Sequence, residues 1–149
     1  MELRHKLITA VKLRRKQRHE SIDVNCLMRK SRQLKLKYFL ADKLYDSEKN
    51  HELAEKYGAR FIAPLRSKVP IHRTYGRHRK QLKRQFPDEI YCKRVLIESG
   101  FSSMKRKYGD VVYSKKFISQ KNELLCRVLA YNIERIINPF IIEIYFLQD

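Results

Sequence analysis

Two short apolar runs separated by one helical pattern limit the fold more than any other feature. Tyr38-Phe-Leu-Ala41 is a short continuous apolar run of the kind found in a buried strand. Ser47 then caps a helix carrying Leu53, Ala54 and Tyr57, and Gly58 ends it. Phe61-Ile-Ala-Pro64 reads as the next strand. Strand, helix and strand in that order require a parallel crossover, so the expected class is α/β, a short mixed sheet with flanking helices. Asp42 falls where the first strand ends, at the edge where α/β sheets open their functional crevice. A loop-capping Asp is the alternative role.

A second helix carries a denser pattern. On a helix at roughly 100° per residue, Tyr91, Arg94, Glu98 and Lys105 fall within about 60° of one another. Ile90, Ile97, Phe101, Met104 and Tyr108 make an apolar stripe beside them. Glu98 thus sits at the border of a buried face, in line with two cations and a phenol. A carboxylate so placed suits a metal ion that must also meet phosphate, and an Arg94–Glu98 pair on a solvated edge is the plainer alternative. Pro87-Asp-Glu starts this helix with acids in its first turn. Gly100, within the pattern, either admits a close neighbour or kinks the helix.

Charge then narrows the partner. The chain of 149 residues carries a net charge of +18, spread along its length, which argues for a polyanion, most simply DNA or RNA. Between Arg66 and Arg84 there is no acid, while Arg66, Lys68, Arg73, Arg77, Arg79, Lys80, Lys83 and Arg84 are cationic and Tyr75 can stack on a base. Cys26, Cys92 and Cys126 are far apart and odd in number, giving neither a zinc spacing nor a disulfide framework. A reducing cytoplasm is expected. The apolar tail, interrupted by Pro139 and Glu143, is too short to span a bilayer. No Walker A loop, Gly-x-Gly-x-x-Gly or His-Glu-x-x-His motif occurs; His51-Glu-Leu-Ala-Glu55 misses the last and reads as a surface helix.

The spacing Tyr-x2-Arg-x3-Glu-x6-Lys, matched at Tyr91, Arg94, Glu98 and Lys105, resembles the C-terminal signature of insertion-sequence DDE transposases. Leu40-Ala-Asp42-Lys-Leu-Tyr45-Asp-Ser is similar to the block around that family's second catalytic Asp, with Leu44 where the family usually has Gly. Asn122-Glu123 and Ala130-Tyr131-Asn132-Ile133 also resemble the family's helix beyond the signature, so the likeness covers roughly Tyr38 to Ile136. Arg18-His-Glu-Ser21 resembles the family's His-Asp-Ser, with Glu20 in place of Asp.

The resemblance implies a ribonuclease-H-like sheet and three acids that hold two divalent cations, Mg²⁺ or Mn²⁺. Asp42 would be the second acid and Glu98 the third, both catalytic and metal-binding. Arg94 and Lys105 would contact DNA phosphates near the cut, and Tyr91 would position the strand. Arg73, Arg77, Arg79, Lys80, Lys83 and Arg84 join them as DNA-binding candidates on the charge argument. DNA is the expected partner, with a homo-oligomer as family members generally form, no membrane association, and a cytoplasmic, nucleoid-associated location. The first acid is the departure. Glu2, Glu20 and Asp23 are the acids before Asp42, and none sits on an apolar strand. The expectation is therefore the C-terminal portion of a DDE catalytic domain over 1–137, a truncated ribonuclease-H-like fold with its opening strands missing and its two-ion site incomplete. Residues 138–149 form a divergent apolar tail. Two other readings stand beside it: a non-catalytic basic nucleic-acid-binding protein, and a small metal nuclease that recruits Asp23 or Glu20.

Local signals define the remaining elements. Leu7 to Val11 reads as a strand before a basic run, and Ser21 as the cap of a helix reaching Leu34 with Ile22, Cys26 and Leu27 on its apolar face. Gly109 stops the Glu98 helix. Lys115 to Ile137 is expected as a helix whose core stripe is Ile118, Leu125, Val128, Leu129, Ile133 and Ile136, ended by Pro139.

Overall fold

A computed structural model describes residues 1–2, 4–15, 23–66 and 68–146, with side chains to residue 138. The chain divides into two compact units, Lys16–Arg94 and the pair of segments Met1–Arg15 and Val95–Asp149.

The first unit holds the expected crossover. Strand β1 (Tyr38–Leu40) pairs in parallel with β2 (Arg60–Ile62), with Phe39 opposite Phe61, and α2 (Glu48–Lys56) connects them. Phe61 and Ile62 of β2 and Ala63 beyond it are buried, whereas β1, read as a buried strand, is exposed at Tyr38 and only half-buried at Phe39 and Leu40. Helix α1 (Val24–Ser31) adds Val24 and Met28 to a core with Ala54, Phe61 and Ala63, against which Phe39, Leu53 and Tyr57 pack. α2 ends as the sequence requires. Gly58 at φ +70 lets its own N–H reach the Glu55 carbonyl (2.9 Å) and the Ala59 N–H reach the Ala54 carbonyl (3.0 Å), a Schellman closure. The sheet has two strands, both parallel, and no third strand forms among the described residues.

Several expectations are corrected here. α1 begins at Val24 with Asp23 at its N-cap, and tightens into a 3-10 turn over Arg32–Leu34. The Ser21 cap and Ile22 lie outside the described residues, and the buried face of α1 is Val24 and Met28, with Cys26 and Leu27 only half-buried. The helix expected to run unbroken from Pro87 is three pieces: α4 (Asp88–Tyr91), a 3-10 turn (Cys92–Arg94) and α5 (Val95–Tyr108). A 3-10 turn advances about 120° per residue rather than about 100°, so a single helical phase does not carry through Cys92–Arg94.

The second unit pairs α5 with the 30-residue α6 (Phe117–Phe146). Leu7–Val11 forms no ladder. The Ile8 N–H donates to Asn132 Oδ1 and its carbonyl accepts from Asn132 Nδ2, both at 2.9 Å, so one side-chain amide takes the bonds a neighbouring strand would take. Gly100 is buried in α5 and admits a close neighbour: a Cβ there would lie 2.5 Å from Met1 Cε and 3.1 Å from the Tyr131 hydroxyl.

α6 departs from expectation twice. Pro139 does not end it; the helix continues to Phe146. Proline removes one N–H and crowds the preceding turn, a cost of about 3 kcal/mol, and the residues beyond it (Phe140, Ile141, Ile142, Glu143) form no turn signal. The stripe read as core is also largely solvent-facing. Ile118, Leu129, Ile133 and Ile136 are 46–74% exposed and Leu125 39%, while Tyr131, on the opposite side of the helix, is buried.

Candidate functional site

The acid after β1 sits where the sequence places it. Asp42, in extended conformation, is the N-cap of a 3-10 turn over Lys43–Tyr45, and its Oδ1 accepts from the Lys43 N–H at 2.7 Å. The turn closes on Asp46, and this second carboxylate does more for the architecture than the first. With its side chain wholly buried, Asp46 takes both forks of Arg79 from α3 (Arg77–Arg84): Nε to Oδ1 at 2.8 Å and Nη2 to Oδ2 at 2.7 Å. Oδ2 also accepts the Arg66 N–H at 2.9 Å, beyond β2. A bidentate, charge-assisted pair of this kind fixes direction as well as distance. It ties the Asp42 turn, the exit of β2 and the basic segment into one body.

The basic segment is ordered rather than a loose loop. A 3-10 turn over Ile71–Arg73 leads to buried Thr74, whose hydroxyl donates to the Pro70 carbonyl at 3.1 Å, and Gly76 at φ +95 is the N-cap of α3. Glu48, from the first turn of α2, then caps α3 from outside: Oε1 accepts the His78 N–H at 2.9 Å and Oε2 the Arg79 N–H at 3.2 Å. Two further cations of the predicted set are also engaged. Arg77 pairs with Glu55 at 2.8 Å and Lys83 bonds the Val69 carbonyl. The side chains of Arg73, Lys80 and Arg84 make no ion pair among the described residues.

Three residues that brace α3 escaped the sequence reading: Asp46, Glu48 and His51. His51 belongs to the segment read as a surface helix, yet it is 3% exposed, edge-on to Phe61 with ring centroids 5.1 Å apart and stacked on His78 at 5.7 Å. His78 in turn lies between Glu48 (Nδ1 to Oε1, 2.9 Å) and Glu55 (Nε2 to Oε2, 3.3 Å). The available signal was four acids and a His at 46–55 preceding an acid-free stretch at 66–84.

Burial pushes the His51 imidazole below its usual 6.5. At Glu48 burial pushes the carboxyl up, but hydrogen bonds from His78 and the Arg79 N–H outweigh it and hold the group below 4.5. Both shifts make acid destabilising. The unfolded chain takes a proton on His51 below pH 6.5 that the folded chain refuses, and the Glu48 contribution is present above 4.5 and lost as pH falls through its lowered value. Urea midpoints are therefore expected to fall from about pH 6.5 downward and more steeply below about pH 4.5. A midpoint flat between those two values would contradict the buried neutral His51.

The Tyr-x2-Arg-x3-Glu-x6-Lys positions are divided by the break before α5. Tyr91 ends α4 and Arg94 ends the 3-10 turn, with the guanidinium carbon 5.9 Å from the Tyr91 ring centre and Phe86 edge-on to the same ring at 5.2 Å. Glu98 and Lys105 lie exposed on α5, in the other unit. Tyr91 and Arg94 are thus brought together, whereas Asp42 and Glu98 belong to different units.

The structure thus presents an α/β unit with an acid at a strand end and a folded basic segment, and comparison with known families is more specific. Residues 1–133 match the family described as the transposase DDE domain. The chain belongs to that family, and its function is related to DNA transposition. No curated protein and no solved structure matches it. Members of the family generally use a divalent metal. Among the described residues no group of three or more His, Cys, Asp or Glu could hold a metal, and Asp42 Oδ1 accepts one hydrogen bond, from its own turn. Of the acids considered for a third ligand, Glu2 binds the Arg4 and His5 N–H groups, Asp23 stands at the N-cap of α1, and Glu20 is outside the described residues. No helix among the described residues is long and apolar enough to cross a membrane.

Proposed function

We propose that the chain acts in transposition by holding DNA, as a transposase DDE domain that does not by itself complete two-ion strand cleavage and transfer at insertion-sequence ends. Asp42 and Glu98 are its second and third acids, Arg94 and Lys105 contact phosphates, and Tyr91 positions the strand. The observation that carries the DNA-holding role is the acid-free basic segment, folded onto Asp46 and Glu48 so that Arg73, Lys80 and Arg84 keep their charges for phosphate.

The test is plasmid binding and nicking with Mn²⁺, comparing the chain with Glu98→Gln. Binding that weakens steeply with salt in both proteins, without nicking in either, is the expected result. Nicking that disappears in Glu98→Gln would show an assembled metal site and overturn the incomplete-site reading. In that case Mg²⁺ or Mn²⁺ is the cofactor, with the missing acid supplied by another residue or a second copy.

A further inference from the structure

Tyr75 is 80% exposed and lines a groove of about 880 Å³ together with His72, Arg73, Thr74 and Lys80. An exposed aromatic on a mobile tip would carry little information, but this loop is fixed at each residue around the ring. Thr74 is buried and bonded to Pro70, the Tyr75 carbonyl accepts from Arg79 Nη1 at 3.4 Å, and Gly76 abuts Glu48. The backbone on either side of the ring is hydrogen-bonded into the fold, and the ring itself meets no other aromatic ring among the described residues.

We propose that this groove is a platform for single-stranded DNA, in which Tyr75 stacks on one unpaired base while Arg73 and Lys80 neutralise the flanking phosphates. The proposal rests on the reading of the chain as a DNA-holding transposase domain. A paired base in a duplex hides both faces in the stack, whereas an unpaired base offers a face to an aromatic side chain regardless of its identity. Two of the three acids that line the groove are partnered within the fold. Glu48 and Glu55 are engaged by α3, and Glu52 lies exposed beside them.

Fluorescence anisotropy with one labelled oligodeoxynucleotide, single-stranded and as its duplex, tests the platform on the chain, Tyr75→Ala and Tyr75→Phe. Tyr75→Ala should weaken single-strand binding roughly tenfold and duplex binding less than about twofold, with Tyr75→Phe close to the unsubstituted chain on both. So exposed a side chain can be removed without unfolding the loop beneath it. Duplex binding retained while single-strand binding ignores Tyr75, or equal losses on both ligands, overturns the platform alone. No salt-dependent binding to either DNA overturns the platform and the reading beneath it.

Discussion

Asp46→Ala should cost the chain about 3–5 kcal/mol of stability, the largest effect expected of any polar substitution in the chain. The replacement leaves the Arg79 guanidinium, 17% exposed, without its bidentate partner, and leaves the Arg66 N–H without its acceptor. Removing one member of a buried pair exposes the remaining charge to a low-dielectric surrounding with nothing to offset its lost hydration. Urea unfolding read by far-UV circular dichroism measures the loss. Replacing both partners, as in Asp46→Leu with Arg79→Leu, should be much less damaging than the sum of the single changes, because no uncompensated charge remains. A loss under about 1 kcal/mol for Asp46→Ala would mean that water reaches the pair and that it does not anchor α3.

Gly76→Ala is the second large effect, about 3 kcal/mol. Its φ of +95 with ψ of 144 is a backbone conformation that essentially only glycine adopts, at a cost of about 1–3 kcal/mol for any other residue. A Cβ would also lie 2.0 Å from Glu48 Oε2 and 2.2 Å from its Cδ. A long side chain can normally swing aside, but this carboxylate is bonded to the His78 and Arg79 N–H groups, so moving it uncaps α3 and adds about 1 kcal/mol. Gly58→Ala is the control. Gly58 is also left-handed at φ +70, but no atom lies within 4 Å of its added Cβ, so only the backbone strain is incurred. Thermal unfolding of the two variants should therefore differ, with Gly76→Ala lower; equal values would remove Glu48 from the account.

The parts of this fold that were legible in the sequence are those where one local signal decides the outcome. The order of β1, α2 and β2 follows from two apolar runs and a helix stopped by Gly58, and the position of Asp42 follows from the end of the first run. The break between Tyr91 and Val95 was not legible, because an α-turn and a 3-10 turn differ by one residue in the reach of a hydrogen bond and share the same side-chain preferences. His51 was misread for a similar reason: a histidine on a helix carries no periodic mark that says whether the next element will cover it. The stripe on α6 is the instructive case. Periodicity identifies which side chains share a face, and Ile118, Leu125, Leu129, Ile133 and Ile136 do share one within roughly 80°. Whether that face is covered depends on neighbours that helical spacing cannot report.

That open face also governs how the protein behaves as a colloid. Five branched apolar side chains along one helix invite copies to adhere, while a net charge of +18 drives them apart. The repulsion reaches about 10 Å at 0.1 M salt and only about 3 Å at 1 M. On the proposed DNA-holding role, raising the ionic strength would release DNA from the basic segment and, in the same step, let the α6 faces of neighbouring molecules approach. In a salt titration, light scattering should rise as bound DNA falls.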